Sequence, residues 1–111
     1  MKPVDEQVAL KMMQALSDST RVNIVRFLVQ KLPEGASAGE IASHVDATSS
    51  RASFHLNTLD QAGLVSSEKQ SRSVIYTLDS AKMGGLVSFL LNDCCDGHPD
   101  ILACCTSGKS C

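Results

Sequence analysis

The middle of the chain contains two helix-start signals with a short turn between them. Ser37 is followed three residues later by Glu40, which is the capping-box pattern that begins a helix. Thr48 or Ser49 can cap a second, longer helix, and Gly63 is suited to end it in a left-handed conformation. A short helix, a tight turn and a longer helix predict a helix-turn-helix unit, whose second helix faces the major groove of DNA.

Helical periodicity precedes this unit. Apolar residues recur every four positions from Val4 to Leu16, which predicts a first helix. Ser17 or Asp18 can cap a second helix, which Pro33 ends. We expect the buried stripe of the second helix to comprise Val22, Val25, Leu28, Val29 and Leu32.

After the unit, two runs with strand alternation flank four polar residues. Leu64–Lys69 and Val74–Leu78 are separated by residues 70–73, which predicts a β-hairpin, or wing. Asp79 or Ser80 can then cap a last helix. The predicted fold class is mostly α with a small β-hairpin, a winged helix-turn-helix.

The last helix is strongly apolar on one face for a helix at the end of a small domain. The residues of this face are Met83, Leu86, Val87, Leu90 and Leu91. Together with Val8 and Met12 of the first helix, they would expose a patch too large for a stable monomer. We therefore expect a symmetric homodimer through the first and last helices.

Composition excludes several classes of protein. The 111 residues fit one domain, and a net charge of -2 provides no overall basic field for nucleic acid. Aromatic residues make up 4%, which disfavours stacking of single strands but leaves duplex DNA open. We expect a cytoplasmic protein with no membrane partner, because neither a signal peptide nor a membrane span is present. We expect no enzymatic activity, because no nucleophile elbow, phosphate loop or metal-hydrolase motif is present.

The cysteines are confined to the end of the chain. They are Cys94, Cys95, Cys104, Cys105 and Cys111. This distribution divides the chain into a DNA-binding and dimerisation domain, residues 1–91, and a cysteine-rich tail, residues 92–111. An odd number of cysteines in a reduced compartment argues for free thiols, metal ligands or redox chemistry rather than a disulfide framework.

Adjacent cysteines can bind one ion only under a geometric condition. Cys94 and Cys95 would point about 100° apart on a helix, so both can face one ion only where the helix ends. Gly97 can adopt a left-handed conformation, and we expect Pro99 to prevent the helix from resuming. The chain can then turn back and bring a later cysteine to the first pair, whose soft thiolates suit thiophilic ions.

Three segments, taken jointly, identify a family. They are Leu16–Val22, Ser53–Val65 along the second helix of the helix-turn-helix, and the wing with Arg72 and Tyr76. Over about residues 8 to 91, the chain resembles the ArsR/SmtB family of winged-helix metalloregulatory repressors. The resemblance implies a homodimeric repressor that binds a twofold-symmetric double-stranded operator and leaves it when a metal or metalloid binds.

Departures from the family pattern indicate the inducer. Ala42 and His44 stand where one branch has its cysteine pair, and residues 81–92 lack the histidines and carboxylates of a zinc-binding branch. Asn92–His98 resembles instead the branch that binds trivalent arsenic through a Cys-Cys pair and a third cysteine downstream. The resemblance implies arsenic or antimony as inducer of an arsenic-resistance operon, with no organic cofactor. The implied ligands are Cys94, Cys95 and Cys104, with Cys105 as the substitute third donor.

Candidate DNA contacts lie on the helix side opposite the predicted stripe of Ala52, Leu56 and Leu59. Hydroxyl and amide groups suit phosphate and base-edge contacts, and Arg51 could donate to guanine. His55 borders the stripe, so it is either a buried structural histidine or, as the family implies, a DNA contact. The candidates are Ser49, Ser50, Arg51, Ser53, Phe54, His55 and Asn57 on the helix, with Lys69 and Arg72 in the wing.

Three alternatives stay open. The two cysteine pairs could sense zinc or cadmium, although a structural zinc site usually takes pairs spaced by two to four residues. The thiols could instead sense oxidation. A winged-helix interaction module that does not bind DNA is the third alternative, because basic and acidic residues balance between positions 44 and 78.

Overall fold

The computed structural model describes residues 4–107 of the chain. In chain order the elements are α1 (Glu6–Leu16), α2 (Ser19–Gln30), β1 (Ala36–Ser37), α3 (Ala38–His44), α4 (Ser49–Gln61), β2 (Val65–Gln70), β3 (Ser73–Leu78), α5 (Ser80–Ser88), a π-helical segment (Phe89–Cys94) and α6 (Pro99–Ser107). This order confirms the winged helix-turn-helix. Over residues 4–107, no helix is long and apolar enough to cross a membrane.

Side-chain caps begin the helices at positions that the sequence offers. Where two residues were candidates, the structure uses Asp18, Thr48 and Asp79. The capping box of α3 is complete: the Ser37 hydroxyl accepts the Glu40 N–H at 3.2 Å, and the Glu40 carboxylate accepts the Ser37 N–H at 3.2 Å. Each helix N-terminus thus has a partner for its unpaired amides.

The wing belongs to a sheet of three antiparallel strands in the order β1-β3-β2. Gln70 pairs with Ser73 across a two-residue turn, in which Ser71 has a φ of 56°. The strand β1, which the sequence did not predict, pairs Ala36 with Tyr76. Gly35, at φ 81°, permits this approach, because a Cβ there would lie 2.5 Å from the Tyr76 carbonyl oxygen.

One core lies among α1, α2, α3, α4 and the sheet. Its largest fully buried side chains are Met12, Ile24, Leu28, Ile41, Leu56, Leu59 and Leu64. The predicted stripe of α2 was partly wrong, because Val29 is 49% exposed while Ile24 and Phe27 are buried. This helix contacts α1, α3, α4 and β3 at once, so its neighbours rather than its own periodicity decide which side is enclosed.

The predicted dimer face also needs correction. Met12 and Leu86 are 0% and 3% exposed, so they belong to the core of the single chain. The start of α1 packs on α5, where a Cβ added to Gly85 would overlap the Val4 side chain. The exposed apolar residues of these two helices are Val87, as predicted, and Leu10, which was not predicted, at 48% each.

After α5, the helix widens into the π-helical segment Phe89–Cys94 before it ends. The prediction that the helix ends beside the cysteine pair is confirmed, since Cys95 is its C-cap and Gly97 has a φ of 59°. The prediction for Pro99 was wrong. Because its ring matches helical φ and its missing N–H is not needed in a first turn, Pro99 begins α6 instead of preventing a helix.

Candidate DNA-binding face and cysteine cluster

The helix α4, called the recognition helix below, is fixed at both ends. Thr48 accepts the Arg51 N–H at 3.2 Å at its start. At its end, Gly63 has a φ of 85°, and the Leu64 N–H donates to the Leu59 carbonyl at 3.0 Å. This is the Schellman arrangement, which satisfies carbonyls that would otherwise have no partner.

The inner side of the recognition helix is buried as predicted, at Ala52, Leu56 and Leu59. The opposite side is exposed and carries hydroxyl, guanidinium and amide groups together with one aromatic ring. These residues are Ser49, Ser50, Arg51, Ser53, Phe54 and Asn57. A polar side of this kind, on the second helix of a helix-turn-helix, can donate to and accept from base edges and phosphates.

His55 does not belong to this exposed set. Its residue is only 6% exposed, and its Nδ1 lies 3.0 Å from Nη1 of Arg21. Because a guanidinium can only donate, Nδ1 accepts this hydrogen bond, and the ring proton of a neutral imidazole is then on Nε2. Of the two alternatives for His55, the structure supports the structural one.

Arg21 joins three helices at this point. Its Nε donates to the Ala15 carbonyl in the last turn of α1 at 2.6 Å, while Nη1 donates to His55 in the recognition helix. The sequence places Arg21 in the segment Leu16–Val22 that resembles the family, but it predicts no contact for this side chain. Its charge was the available signal, because the helix dipole disfavours a cation in the first turn of α2.

The carboxylate of Asp18 lies at the same junction. It caps α2 by accepting the N–H groups of Thr20 at 2.9 Å and Arg21 at 3.2 Å. The backbone hydrogen bond from Arg21 is the main cause that lowers the pKa of Asp18. The Thr20 amide and the charge of Arg21 lower the pKa further, against the opposing effect of desolvation.

His44 also has a structural contact. Its ring stacks on Phe27 with centroids 4.1 Å apart and planes inclined by 21°, and the Lys31 ammonium lies 5.3 Å from the Phe27 centroid. The position that resembles a cysteine ligand in one family branch therefore holds an exposed residue whose ring stacks on Phe27 of α2.

Lys69 and Arg72 are exposed in the wing. Lys69 is the last residue but one of β2, and Arg72 lies in the turn between β2 and β3. Their cationic groups lie on a rigid two-stranded support, where they can neutralise phosphates beside a groove that the recognition helix enters.

The cysteine pair lies where the π-helical segment stops. The Cys95 N–H donates to the Leu90 carbonyl at 3.0 Å, the five-residue spacing of a π-helix. Asp96 and Gly97 both have positive φ, at 55° and 59°, and these two residues reverse the chain. The reversal lets α6 begin at Pro99 and return toward the pair.

Three cysteines of the tail are free thiols, namely Cys94, Cys95 and Cys105. A side-chain hydrogen bond with Cys94 raises the pKa of the Cys95 thiol, and desolvation and the charges of Cys94 and Cys105 raise it further. Cys94 and Cys105 are therefore both near Cys95, and these three thiols are called the cysteine cluster below. Their interaction combines a pair adjacent in sequence with one thiol from α6.

Cys104 also lies on α6, where its Sγ is 3.5 Å from the Asp100 carbonyl oxygen. The cysteine of α6 that influences the pair is Cys105, which the sequence offered only as the substitute donor. Cys111 lies outside the described residues.

The cluster is not closed around a metal position. Among residues 4–107, no group of three or more His, Cys, Asp and Glu side chains converges enough to hold a metal ion. His98, a conceivable harder ligand, instead caps α6, since its Nδ1 accepts the Asp100 N–H at 3.1 Å. Among the described residues, a three-thiolate site at this cluster would therefore require Cys94, Cys95 and Cys105 to move closer together.

Comparisons with known proteins match the helix-turn-helix. A family model described as a helix-turn-helix domain matches residues 16–68. Over 78 residues, the chain is 36% identical to the uncharacterized HTH-type transcriptional regulator YceK of Bacillus subtilis, covering 70% of this chain and 77% of that protein. It is 30% identical over 90 residues to the transcriptional repressor SdpR of Bacillus subtilis, covering 79% and 94%. It is also 30% identical over 82 residues to the transcriptional activator HlyU of Vibrio cholerae, covering 74% and 73%.

Solved structures have the same architecture. An ArsR-like transcriptional regulator from Rhodococcus sp. RHA1 superposes with a TM-score of 0.70 at 25% identity, covering 95% of this chain and 96% of that chain. The homodimeric winged helix-turn-helix DNA-binding domain of Mb0332 from Mycobacterium bovis gives a TM-score of 0.62 at 23% identity, covering 84% and 86%. At that identity the second similarity concerns the fold alone.

Proposed function

Because the chain belongs to the ArsR family of winged helix-turn-helix transcriptional regulators, we propose that it represses an arsenic-resistance operon. In this proposal a homodimer binds duplex operator DNA, and trivalent arsenic or antimony releases it by binding thiols of the tail. The observation that carries the proposal is the cysteine cluster, which lies at the end of the helix that follows the wing. The same chain thus combines a DNA-binding side with a thiophilic site.

The DNA-binding half of the proposal rests on the recognition helix and the wing. The exposed side of α4 carries Ser50, Arg51 and Asn57, whose groups can reach base edges in a major groove. Lys69 and Arg72 supply the phosphate contacts. A twofold-symmetric dimer would present two such sets to successive major grooves on one side of the duplex.

The dimer of the proposal uses α1 and α5. Each of these helices has an exposed apolar residue, Leu10 on α1 and Val87 on α5, which could pack against the same residues of a second copy. Since α5 continues into the π-helical segment and then the cysteine pair, a pull on the thiols acts directly on the helix of the dimer.

The exchange reaction that would bind arsenic at this site is balanced in atoms and protons. Arsenous acid exchanges three hydroxyl groups for three thiols: three As–O and three S–H bonds break, three As–S bonds form, and three waters leave. The raised pKa of Cys95 does not oppose this exchange, because no proton is released overall. Zinc binding does release thiol protons, so the same raised pKa disfavours zinc.

The ligand would act by closing the cluster. Drawing Cys105 to Cys94 and Cys95 shifts α6 against the π-helical segment and thereby strains the dimer helix. Moving the DNA-bound fraction from 99% to 1% requires about 5.5 kcal/mol of differential binding between the two states. Three bonds between the metalloid and soft thiolate sulfurs can supply this binding free energy.

Titration of the fully reduced chain on a fluorescent duplex of its own upstream DNA tests the proposal. We expect arsenite and antimonite to lower the anisotropy to that of free DNA, while equal concentrations of zinc and cadmium leave the complex intact. Cys94→Ser should bind the duplex with unchanged affinity and resist arsenite. Release by zinc alone would favour the zinc-sensing alternative, and an absence of DNA binding at any salt concentration would favour the interaction module.

A further inference from the structure

Phe54 is the most exposed large apolar residue of the described chain. It is 65% exposed, whereas Phe27 is 8% exposed in the core and Phe89 packs partly buried against it. Burying a Phe side chain is favourable, so the fold gains nothing from leaving this ring in water. The ring is therefore available for an apolar contact outside the chain.

The position of Phe54 on the recognition helix is central to the exposed side. At about 100° per residue, it points roughly 200° away from the buried Ala52. Ser50, four residues earlier, and Asn57, three residues later, are its neighbours along the helix surface. The ring thus has a hydroxyl on one side and an amide on the other.

The Phe54 ring also packs against the side chain of its neighbour in the helix. It meets the His55 ring edge-to-face, with centroids 5.6 Å apart and planes at 72°. His55 is itself fixed by the hydrogen bond from Arg21, so the aromatic contact is built on a buried support. A side chain with few rotatable bonds and a packed inner edge loses little conformational freedom when it binds.

Only one base presents an apolar group to a helix in the major groove. Thymine carries a 5-methyl group there, while the other exposed groups of the four bases are hydrogen-bond donors and acceptors. Phenylalanine makes apolar contact with this methyl group, and serine and asparagine pair with polar edges. The stripe of Ser50, Phe54 and Asn57 therefore matches a thymine flanked by polar base edges.

We propose that Phe54 is a specificity-determining residue that selects thymine in each half of the DNA site by packing on its 5-methyl group. The inference rests on the proposed DNA binding and adds to it a base preference. It makes Ser50 and Asn57 responsible for polar contacts on either side of the methyl group.

A comparison of thymine with uracil tests the proposal, because deoxyuridine removes the methyl group and nothing else from the major-groove edge. A duplex would first be selected by the full-length chain from a random pool, and each thymine would then be replaced in turn. For the wild-type chain, we expect one position in each half-site at which uracil weakens binding about fourfold, the worth of one buried methyl group.

The matched variants are Phe54→Ala and Phe54→Leu. We expect Phe54→Ala to bind thymine and uracil duplexes equally and Phe54→Leu to keep part of the preference. Circular dichroism should show unchanged folding, because the ring is outside the core. A wild-type chain insensitive to uracil at every position, or a preference that persists in Phe54→Ala, would overturn the role of Phe54 and leave DNA binding intact. Failure of the wild-type chain to bind or select any duplex would overturn both.

Discussion

At the scale of single residues, Arg21 is the polar centre of the fold. It donates to the last turn of α1 and to the recognition helix from its own position in α2. Its loss would leave the Ala15 carbonyl and the His55 Nδ1 without their donor in a region with little water. The orientation of the recognition helix relative to α1 therefore depends on one guanidinium group.

We predict that Arg21→Met lowers the free energy of unfolding by about 2 kcal/mol, since two part-buried acceptors lose their partner. Urea denaturation measures the change. Arg26→Met is the matched control, because Arg26 bonds only to Asn23 in an exposed pair and should change stability by less than about 0.5 kcal/mol. Equal effects of the two substitutions would contradict the bridging role of Arg21.

The cysteine cluster gives a second prediction at this scale. Because a hydrogen bond with Cys94 is the largest cause of the raised pKa of Cys95, Cys94→Ala should lower that pKa. More thiolate is then present at pH 8, so alkylation of Cys95 should become faster, as site-resolved mass spectrometry can measure. Cys105→Ala removes only a weaker charge effect and should accelerate the reaction less. An unchanged rate in Cys94→Ala would refute the interaction.

At the scale of elements, local sequence determined most of the architecture. Asp18, Ser37, Thr48 and Asp79 each cap a helix through their own oxygen, so the starts of four helices could be predicted from short segments. The strand β1 could not be predicted, because its two residues become a strand only by pairing with β3 far along the chain. The enclosed side of α2 depended in the same way on tertiary contacts.

In the tail, too, some structural features follow from local sequence and others depend on packing between distant residues. The stop after the cysteine pair could be predicted from Gly97, since its φ is positive as expected. The π-helical widening before it has no signal that we can identify in the residues 89–94. Cys105 acts on Cys95 because of how α6 packs back on the pair, which spacing along the sequence does not determine.

The cap of α2 gives the prediction at this scale. The folded chain lowers the pKa of Asp18 below its usual value of 3.8, so this carboxylate stabilises the fold above that value. Its contribution is lost as the pH falls through the lower pKa of the folded state. Asp18→Asn keeps an oxygen acceptor but removes the charge, so its urea midpoint should fall less between about pH 5 and about pH 3. Parallel pH profiles for both proteins would show that the charge does not matter.

At the scale of the whole molecule, the proposed dimer would connect the DNA-binding side with the cysteine cluster. The exposed apolar residues Leu10 and Val87 lie on α1 and α5, and Leu86 belongs to the core of the single chain. Leu86→Glu would therefore unfold the chain rather than separate two folded copies, since a charge would be buried without a partner. The interface must be tested at its exposed positions.

We predict that Val87→Glu gives a folded monomer in sedimentation velocity and weakens DNA binding, because a buried carboxylate opposes association. Val29→Glu is the matched control, since Val29 is 49% exposed and Val87 is 48% exposed, but Val29 lies on α2. We expect Val29→Glu to stay dimeric. Dimers of Val87→Glu, or monomers of Val29→Glu, would contradict an interface formed by α1 and α5.

The most direct test of the proposed regulation is arsenite-driven release from DNA, measured by anisotropy for each cysteine variant under reducing conditions. We predict that Cys94→Ser, Cys95→Ser and Cys105→Ser bind DNA like the wild-type chain but are not released. Cys104→Ser should be released normally, because Cys94 and Cys105, but not Cys104, act on Cys95. Release that survives the simultaneous loss of Cys94 and Cys95 would contradict the account.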